Sequence, residues 1–360
     1  MAAMTDPVVG SVTAGVDTHR DFHVVAALDW LGRLHDVIEV PNSPAGHAQA
    51  VQWLASIGQI DQVGVEGTGS YGVGLSRYLQ AGQIRVVEVD RPDRRGRRMH
   101  GKTDATDAIA AARAVQSGSA RGIPKSRDGQ VEAIRVLRVA RNGAIKARSA
   151  AANQLKSVRE TAPEPLRSQL IRLTTTELVA RCAAMRPALD DGVVDGMVAA
   201  TKMAMRSIAR RYQDLKAEIA LLDAQLDPLT LKAAPQLRAQ MGVGPDVAGQ
   251  LLVTAGDNPH RLHSEAAFAR LCGVAPIPAD SGQTQGRHRL HRGGDRQANA
   301  ALYRVTLNRL RHDPRTQTYK AERIGGRHTT KTIIRSLKRI IARDLYTHLM
   351  ADFTALHTPA

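Results

Sequence analysis

The fold prediction depends most on residues 11–41, SVTAGVDTHRDFHVVAALDWLGRLHDVIEVP. Three apolar runs, at residues 11–19, 21–29 and 34–41, predict three strands, and the first of them ends in polar residues. Trp30, Leu31 and Gly32 form a predicted turn between the second and third strands. Connections this short favour an antiparallel meander, because a parallel crossover needs a much longer connection.

The chain then alternates helix and strand signals as far as residue 117. Ser43 is a helix N-cap type, and short apolar strands end near Glu66 and Asp90. The predicted elements are a helix at 43–56, a strand at 62–68, a helix at 69–81, a strand at 84–90 and an alanine-rich helix at 103–117. The order β-β-β-α-β-α-β-α is that of a ribonuclease H-like fold, although other mixed α/β folds share it.

Residues 125–235 show long helical patterns and no convincing strand, and Pro163 and Pro165 are expected to end the first long helix. Apolar residues recur there at alternating steps of four and three, which predicts a heptad seam formed by Ile208, Tyr212, Leu215, Ile219, Leu222 and Leu226. The seam covers under three heptads, so a hairpin with residues 131–158 and a dimer contact both remain open.

Two further segments suggest contacts with a phosphate backbone. Gly242 and Gly244 lie in a turn between two predicted helices, a helix–hairpin–helix-like form whose N–H groups suit a phosphate. A plain helical hairpin turn is the alternative. The last helix has an apolar face predicted from Ile333, Ile334, Leu337, Ile340, Ile341 and Leu345. Its basic residues Lys331, Arg335 and Lys338 face solvent or nucleic acid, and a membrane-surface helix is the alternative.

The charge of the chain favours a polyanionic partner. Fifty Lys and Arg against 34 Asp and Glu give a net charge of +16, and only 3% of residues are aromatic. This composition favours a nucleic acid, and it argues against a single-strand binder that depends on stacked aromatics. One basic focus in residues 91–102 contains Arg94, Arg95, Arg97, Arg98 and Lys102.

The same composition excludes several other classes of protein. Two distant cysteines exclude a disulfide framework and a cysteine zinc site. The first residues lack the pattern of a secretory signal, and no apolar run is long enough to span a bilayer. We therefore expect a cytoplasmic, nucleoid-associated bacterial protein with no membrane partner.

Four carboxylates are predicted to converge. Asp17 and Glu66 end the first and fourth strands, while Asp104 and Asp107 lie three residues apart at the start of the alanine-rich helix. In a ribonuclease H-like sheet these element ends are neighbours, and clustered carboxylates need a counter-cation. Hard oxygen ligands select Mg²⁺ or Mn²⁺, and two such ions suit phosphodiester chemistry. Taken singly, Asp104 could equally be a helix N-cap.

A second group surrounds Ser281, which is preceded by Pro276 and Pro278 and followed by Gly282. The neighbouring basic residues Arg287, Arg289 and Arg292 suit the binding of phosphate oxygens, and a serine among them suits attack on a phosphate. By composition alone, however, a Ser-Gly pair is more typical of an ordinary turn. His288 and His291 are more typical of phosphate contacts than of metal ligands.

Several motifs together resemble those of one family. GVDTHRD, VGVEGTGSYG, KTDATDAIAAARA, GVGP, GVAPIPADSG and HRGGDRQANAALY are similar to motifs of the DEDD-type insertion-sequence transposases of the IS110 family, relatives of the Piv-type DNA invertases. The resemblance implies that Asp17, Glu66, Asp104 and Asp107 are the catalytic, metal-binding tetrad and that Ser281 is the catalytic serine.

The resemblance also implies an organisation and partners. We expect a RuvC-like domain at residues 1–122, a helical coiled-coil segment at 123–235 and a mainly helical C-terminal transposase domain at 236–360. It implies a Mg²⁺ cofactor, double-stranded DNA at the element ends and target, a guide RNA encoded by the element, and a homo-oligomer, either a dimer or a tetramer. A water-using junction nuclease and a non-catalytic binder of structured nucleic acid are the alternative functions.

Overall fold

A computed structural model describes most of the 360-residue chain. The described residues are 10–89, 103–127, 129–258, 261–280, 282–283, 286, 288–291, 293–326 and 328–357. They fall into two compact units, residues 1–127 and 128–360. The second unit contains both the long helices and everything that follows them. The three-part division expected from the sequence stays a prediction.

The first unit is a mixed α/β structure built on a five-stranded sheet. Its elements are β1 (Ser11–Thr18), β2 (Phe22–Leu28), β3 (Leu34–Pro41), α1 (Pro44–Ile57), β4 (Gln59–Glu66), α2 (Val73–Ala81), β5 (Arg85–Val89) and α3 (Asp104–Gln116). The strand order is β3-β2-β1-β4-β5, with β2 antiparallel to β1 and β3, and with β4 parallel to β1 and β5. The predicted meander and element order are confirmed, and they agree with a ribonuclease H-like start.

The two faces of this sheet follow from the alternation of side chains along each strand. Val12, Ala14 and Val16 of β1 join a core that includes Leu54 of α1 and Leu75 of α2. On the other face, Val24 and Ala26 of β2 pack with Ala108 of α3. Helices α1 and α2 therefore cover one face, and α3 covers the other.

Helix α3 lies directly on two glycines of the sheet. Gly15 of β1 and Gly64 of β4 are register partners. A Cβ atom added at Gly15 would lie 2.1 Å from the carbonyl oxygen of Ala108, and one at Gly64 would lie 2.5 Å from a methyl carbon of Val115. Only glycine permits so close an approach of helix and sheet, and the small residues of α3 match it.

The second unit is mainly helical. Its elements are α4 (Gln130–Glu160), α5 (Leu166–Leu170), α6 (Thr175–Ala183), β6 (Leu189–Asp190), β7 (Val193–Val194), α7 (Gly196–Ala233), α8 (Pro235–Arg238), α9 (Pro245–Ala255), α10 (Glu265–Leu271), β8 (Pro276–Pro278), β9 (His288–Leu290), α11 (Arg296–His312), α12 (Pro314–Gly325) and α13 (Thr330–His357). The predicted absence of strands in residues 125–235 is wrong, because β6 and β7 form a short hairpin.

The two longest helices, α4 and α7, pack against each other within the chain. Leu155 of α4 lies in one buried cluster with Met205 and Ala209 of α7, and Ile208 and Tyr212 of the predicted seam pack against that cluster. Of the two arrangements left open by the sequence, the structure shows the intramolecular hairpin. A coiled-coil contact between chains stays a prediction.

The remaining helices form the largest core. Helices α9, α11 and α13 contribute Leu251, Leu302 and Leu337 to it. The apolar face predicted for the last helix is buried at Ile333, Leu337, Ile341 and Leu345, but Ile340 is exposed. Within the described residues, no helix combines the length and the apolar character needed to cross a bilayer.

A buried histidine on the α1 side of the sheet lacks hydrogen-bond partners. His23 of β2 is fully buried, neither ring nitrogen has a partner, and its ring stacks on that of His47 at 5.7 Å. His47, in contrast, places Nε2 3.2 Å from Oδ1 of Asn42. Burial, with the neighbouring His47 acting in the same direction, lowers the pKa of His23 from its ordinary value to about 4.

We expect Gly15→Ala to destabilise the first unit by about 3 kcal/mol, because its Cβ meets helix backbone that cannot move independently of the helix. Gly82→Ala is the matched control, since its Cβ would make only ordinary contacts, the nearest at 3.5 Å. Urea unfolding followed by tryptophan fluorescence measures the difference, because Trp30 and Trp53 both belong to this unit. Equal stability of the two variants would contradict the close-packing argument.

We also expect the first unit to lose stability as the pH falls from about 6.5 towards 4, because the unfolded chain protonates His23 before the folded chain does. His23 should account for a loss of about 3 kcal/mol in the free energy of unfolding. His23→Phe should remove most of this slope in urea unfolding, whereas the exposed His35→Asn should keep it. An unchanged slope in His23→Phe would show that His23 does not carry the effect.

Candidate functional site

Asp17 and Glu66 lie side by side at the ends of two neighbouring strands. Register pairing runs up to Val16 and Val65, and Asp17 and Glu66 come immediately after these two residues. The ends are tied together because the Thr18 hydroxyl donates a 2.8 Å hydrogen bond to the carbonyl oxygen of Glu66. By the two-residue alternation, both acids share the sheet face of Gly15 and Gly64, which is the face that α3 covers.

The other two acids begin α3. Thr103 is the N-cap, since its hydroxyl accepts from the Thr106 amide and Thr106 completes a capping box. The alternative in which Asp104 is the N-cap is therefore wrong. Asp107 is only 3% exposed, whereas the Asp104 side chain is 44% exposed. The first turn of α3 thus presents one buried and one accessible carboxylate beside the sheet.

Asp17, His19 and Asp104 form a group that can hold a metal ion, with one potential ligand atom of each within 4.8 Å of the others. Nε2 of His19 is 3.2 Å from Oδ2 of Asp17 and 3.4 Å from Oδ2 of Asp104. The sequence reasoning missed His19. The one available signal was its position two residues after an acid that ends a strand.

The electrostatics of this group suit a cation. Burial raises the pKa of the Asp17 carboxyl above its ordinary value, His19 acts in the opposite direction, and Asp107 and Asp104 raise the pKa further. The ionised carboxylates therefore repel each other in a partly buried place. Oxygen donors of this kind, with an adjacent imidazole, fit a divalent cation, which would relieve that repulsion.

The serine predicted to be catalytic and much of the predicted basic set lie outside the described residues. These are Ser281, Arg94, Arg95, Arg97, Arg98, Lys102, Arg287 and Arg292. In sequence, residue 281 falls between β8 and β9, which pair as an antiparallel hairpin. Arg289 of β9 is described and exposed.

The two histidines near this hairpin make local backbone contacts. Nδ1 of His288 is 3.0 Å from the Gly286 carbonyl oxygen, and Nδ1 of His291 is 3.0 Å from the Gly293 carbonyl oxygen. Asp295 caps α11 by accepting from the amides of Gln297 and Ala298. The β8–β9 hairpin is thus followed directly by a well-capped helix.

Gly242 and Gly244 lie in the turn before α9, where Gly244 is the N-cap. Asp246 in the first turn of α9 forms ion pairs with Arg138 and Arg304, both at 2.7 Å, and with Arg141 at 3.2 Å. This acid already provides negative charge at the helix N-terminus. A phosphate contact at the two glycines stays a prediction.

The three basic residues predicted on the last helix differ in exposure. Lys331 and Arg335 are exposed. Lys338 is buried, and its ammonium donates a 2.8 Å hydrogen bond to Oδ1 of Asn299 on α11. The structure thus directs Lys338 into the fold, whereas the sequence predicted a nucleic-acid contact there. The alternation of charge along a helix does not reveal which lysine an adjacent helix covers.

Comparisons with known proteins identify two matched regions. Residues 14–161 match a family model of the DEDD, IS110 type described as "Transposase", and residues 234–321 match "Transposase IS116/IS110/IS902 family". The first region contains the four acids, and the second contains Ser281. Together they cover the larger part of both units.

Two curated relatives are similar to parts of the chain. "Insertion element IS110 uncharacterized 43.6 kDa protein" of Streptomyces coelicolor is 30% identical over 153 residues, which is 42% of this chain and 36% of that protein. "Insertion element IS900 uncharacterized 42 kDa protein" of Mycobacterium paratuberculosis is 26% identical over 168 residues, 46% of this chain and 42% of that protein. The matches thus span less than half of each relative's length.

We expect Asp17→Asn to raise the melting temperature of the metal-free first unit by about 3 °C, the effect of a stabilisation under about 1 kcal/mol. The amide removes the charge that burial and neighbouring carboxylates disfavour. Added Mn²⁺ should raise the melting temperature of the wild type more than that of the variant. Calorimetry at pH 7, with chelator and then with metal, measures both effects, and a destabilised metal-free variant would contradict the repulsion argument.

Proposed function

Because the chain belongs to the IS110 family of DEDD transposases, we propose that it excises and inserts a mobile DNA element by breaking and rejoining DNA strands. The observation that carries the proposal is the juxtaposition of the Asp17 and Asp104 carboxylates, at the end of β1 and the start of α3. Asp17 and Asp104 come from elements far apart in sequence, yet both contact His19. Such gathering of like charge is typical of a metal-dependent phosphodiester site.

In this proposal Asp17, Glu66, Asp104 and Asp107 hold Mg²⁺ or Mn²⁺. When bound there, such an ion would supply Lewis-acid polarisation of a DNA phosphate and stabilisation of the leaving oxygen. The protein's own contribution is to fix the carboxylates. The strand pairing sets the positions of Asp17 and Glu66, and the capping box of Thr103 sets the first turn of α3.

We assign the nucleophile to Ser281. Its hydroxyl oxygen attacks the phosphorus, a serine–phosphate ester forms, and a deoxyribose oxygen leaves with the proton that the serine gives up. Rejoining is the reverse step, in which a DNA hydroxyl attacks the ester and regenerates the serine. The ester conserves the phosphodiester bond energy, so no nucleoside triphosphate is required, in agreement with the absence of a P-loop motif from the sequence.

The proposed partners are double-stranded DNA at the element ends and target, and a structured guide RNA encoded by the element. A net charge of +16 supports polyanionic partners. The proposed contacts are Arg94, Arg95, Arg97, Arg98, Lys102, Gly242, Gly244, Arg287, Arg289, Arg292, Lys331 and Arg335. We further propose that the protein acts as a dimer or tetramer in the bacterial nucleoid.

Wild-type protein incubated with Mg²⁺, DNA spanning the element junction and RNA from its flank should yield a covalent protein–DNA adduct on a denaturing gel. Ser281→Ala should abolish the adduct, because no oxygen remains to form the ester. Asp17→Ala should lower its yield at least about 100-fold, since the metal site is lost. Ser207→Ala is the matched control, because Ser207 is exposed on α7 of the same unit.

The gel also separates the alternative functions. DNA cleavage without an adduct, unchanged in Ser281→Ala, would assign the site to a metal-dependent nuclease that uses water. Junction DNA and flank RNA fragments should together cover the whole element. If the wild type binds these nucleic acids but cleaves none of the DNA, the non-catalytic binder is favoured.

A further inference from the structure

We propose that His19 is itself a ligand of the ion held by Asp17 and Asp104, so that the site combines carboxylate oxygens with an imidazole nitrogen. This inference rests on the metal site of the proposed function. It adds a residue that lies outside the four-acid set. It also changes the expected metal preference, since a nitrogen ligand favours Mn²⁺ over Mg²⁺.

The distances around Nε2 of His19 are the first support. It lies 3.2 Å from one carboxylate oxygen and 3.4 Å from another, and the two carboxylates belong to β1 and α3. Adjacent ligands of an octahedral ion with bonds near 2.1 Å are about 3 Å apart. The two separations from Nε2 therefore match those of neighbouring ligands around one ion, and one ligand atom from each of the three residues lies within 4.8 Å of the others.

The imidazole is also held in place before any ion binds. Its ring stacks on Phe22 with centroids 4.8 Å apart and planes inclined by 27°. The backbone N–H of His19 donates a 3.0 Å hydrogen bond to the carbonyl oxygen of Phe22, which closes the β1–β2 turn. A ring fixed from the backbone and from one face has few other orientations, so Nε2 stays directed between the two carboxylates.

The side chain of His19 is partly accessible to solvent. Its side chain is 34% exposed, whereas that of Asp17 is 13% exposed. An ion held between them can therefore be reached by a solvent molecule or by a phosphate oxygen. A purely structural histidine bridging two acids would need no such access.

A competing explanation is that His19 only hydrogen-bonds the two acids. In that case Nε2 carries a hydrogen and points an N–H, not a lone pair, at the oxygens. The two explanations differ in a directly measurable property, which is whether a nitrogen nucleus lies within bonding distance of the metal.

Pulsed electron paramagnetic resonance on full-length protein with Mn²⁺ measures that property through modulation of the electron spin echo by ¹⁴N. We expect the wild type to show ¹⁴N modulation from a bound imidazole and His19→Gln to lose it. His35→Gln is the matched control, because His35 is exposed on β3 of the same sheet. Asp17→Asn should abolish the bound Mn²⁺ signal and so assign it to this site.

Affinities provide a second readout. In His19→Gln we expect Mn²⁺ binding to weaken about tenfold or more, and Mg²⁺ binding, measured by competition, to weaken about threefold or less. Bound Mn²⁺ that depends on Asp17 but shows no ¹⁴N modulation would overturn the role of His19 and leave the carboxylate site intact. Mn²⁺ binding unaffected by Asp17→Asn would overturn both the inference and the metal site of the proposed function.

Discussion

The contact between α3 and the paired glycines of the sheet is the constraint on which the rest of the first unit depends. Gly15 and Gly64 lie side by side in register, and α3 rests on them so closely that backbone atoms of Ala108 and Ala112 occupy the space of a Cβ at Gly15. The helix can neither approach further nor slide without collision. Its first turn is therefore fixed relative to the ends of β1 and β4.

That fixed position explains how charges that repel each other remain together. Asp17 follows Gly15 by two residues and Glu66 follows Gly64 by two, so the alternation that turns the glycines towards α3 turns the acids the same way. Asp107 is buried at the same place. Burial and like charge raise the pKa of Asp17, and the packing of glycine and alanine beneath offsets that penalty.

The sequence was sufficient for the parts of the molecule governed by strong local patterns. Alternating apolar residues and short connections predicted the β1–β2–β3 meander, and the acids at element ends predicted that Asp17 and Asp104 lie close together. It was insufficient where a neighbouring element decides the outcome. Helical periodicity cannot distinguish buried Lys338 from exposed Ile340 without knowing that Asn299 lies opposite. For the same reason, His19 gave only a weak signal, because its second carboxylate comes from a helix about 85 residues later in the chain.

The opposite faces of the sheet separate two kinds of histidine. His19 follows the end of β1 and lies partly exposed between carboxylates. His23 lies on β2 and is fully buried against α1. The same side chain lies beside two carboxylates in the turn after β1 and is kept neutral by burial within β2. Histidine content therefore says little about this chain. A displacement of β2 by one residue would turn His23 to the other face of the sheet, so the burial of this histidine against α1 depends on the register of the meander.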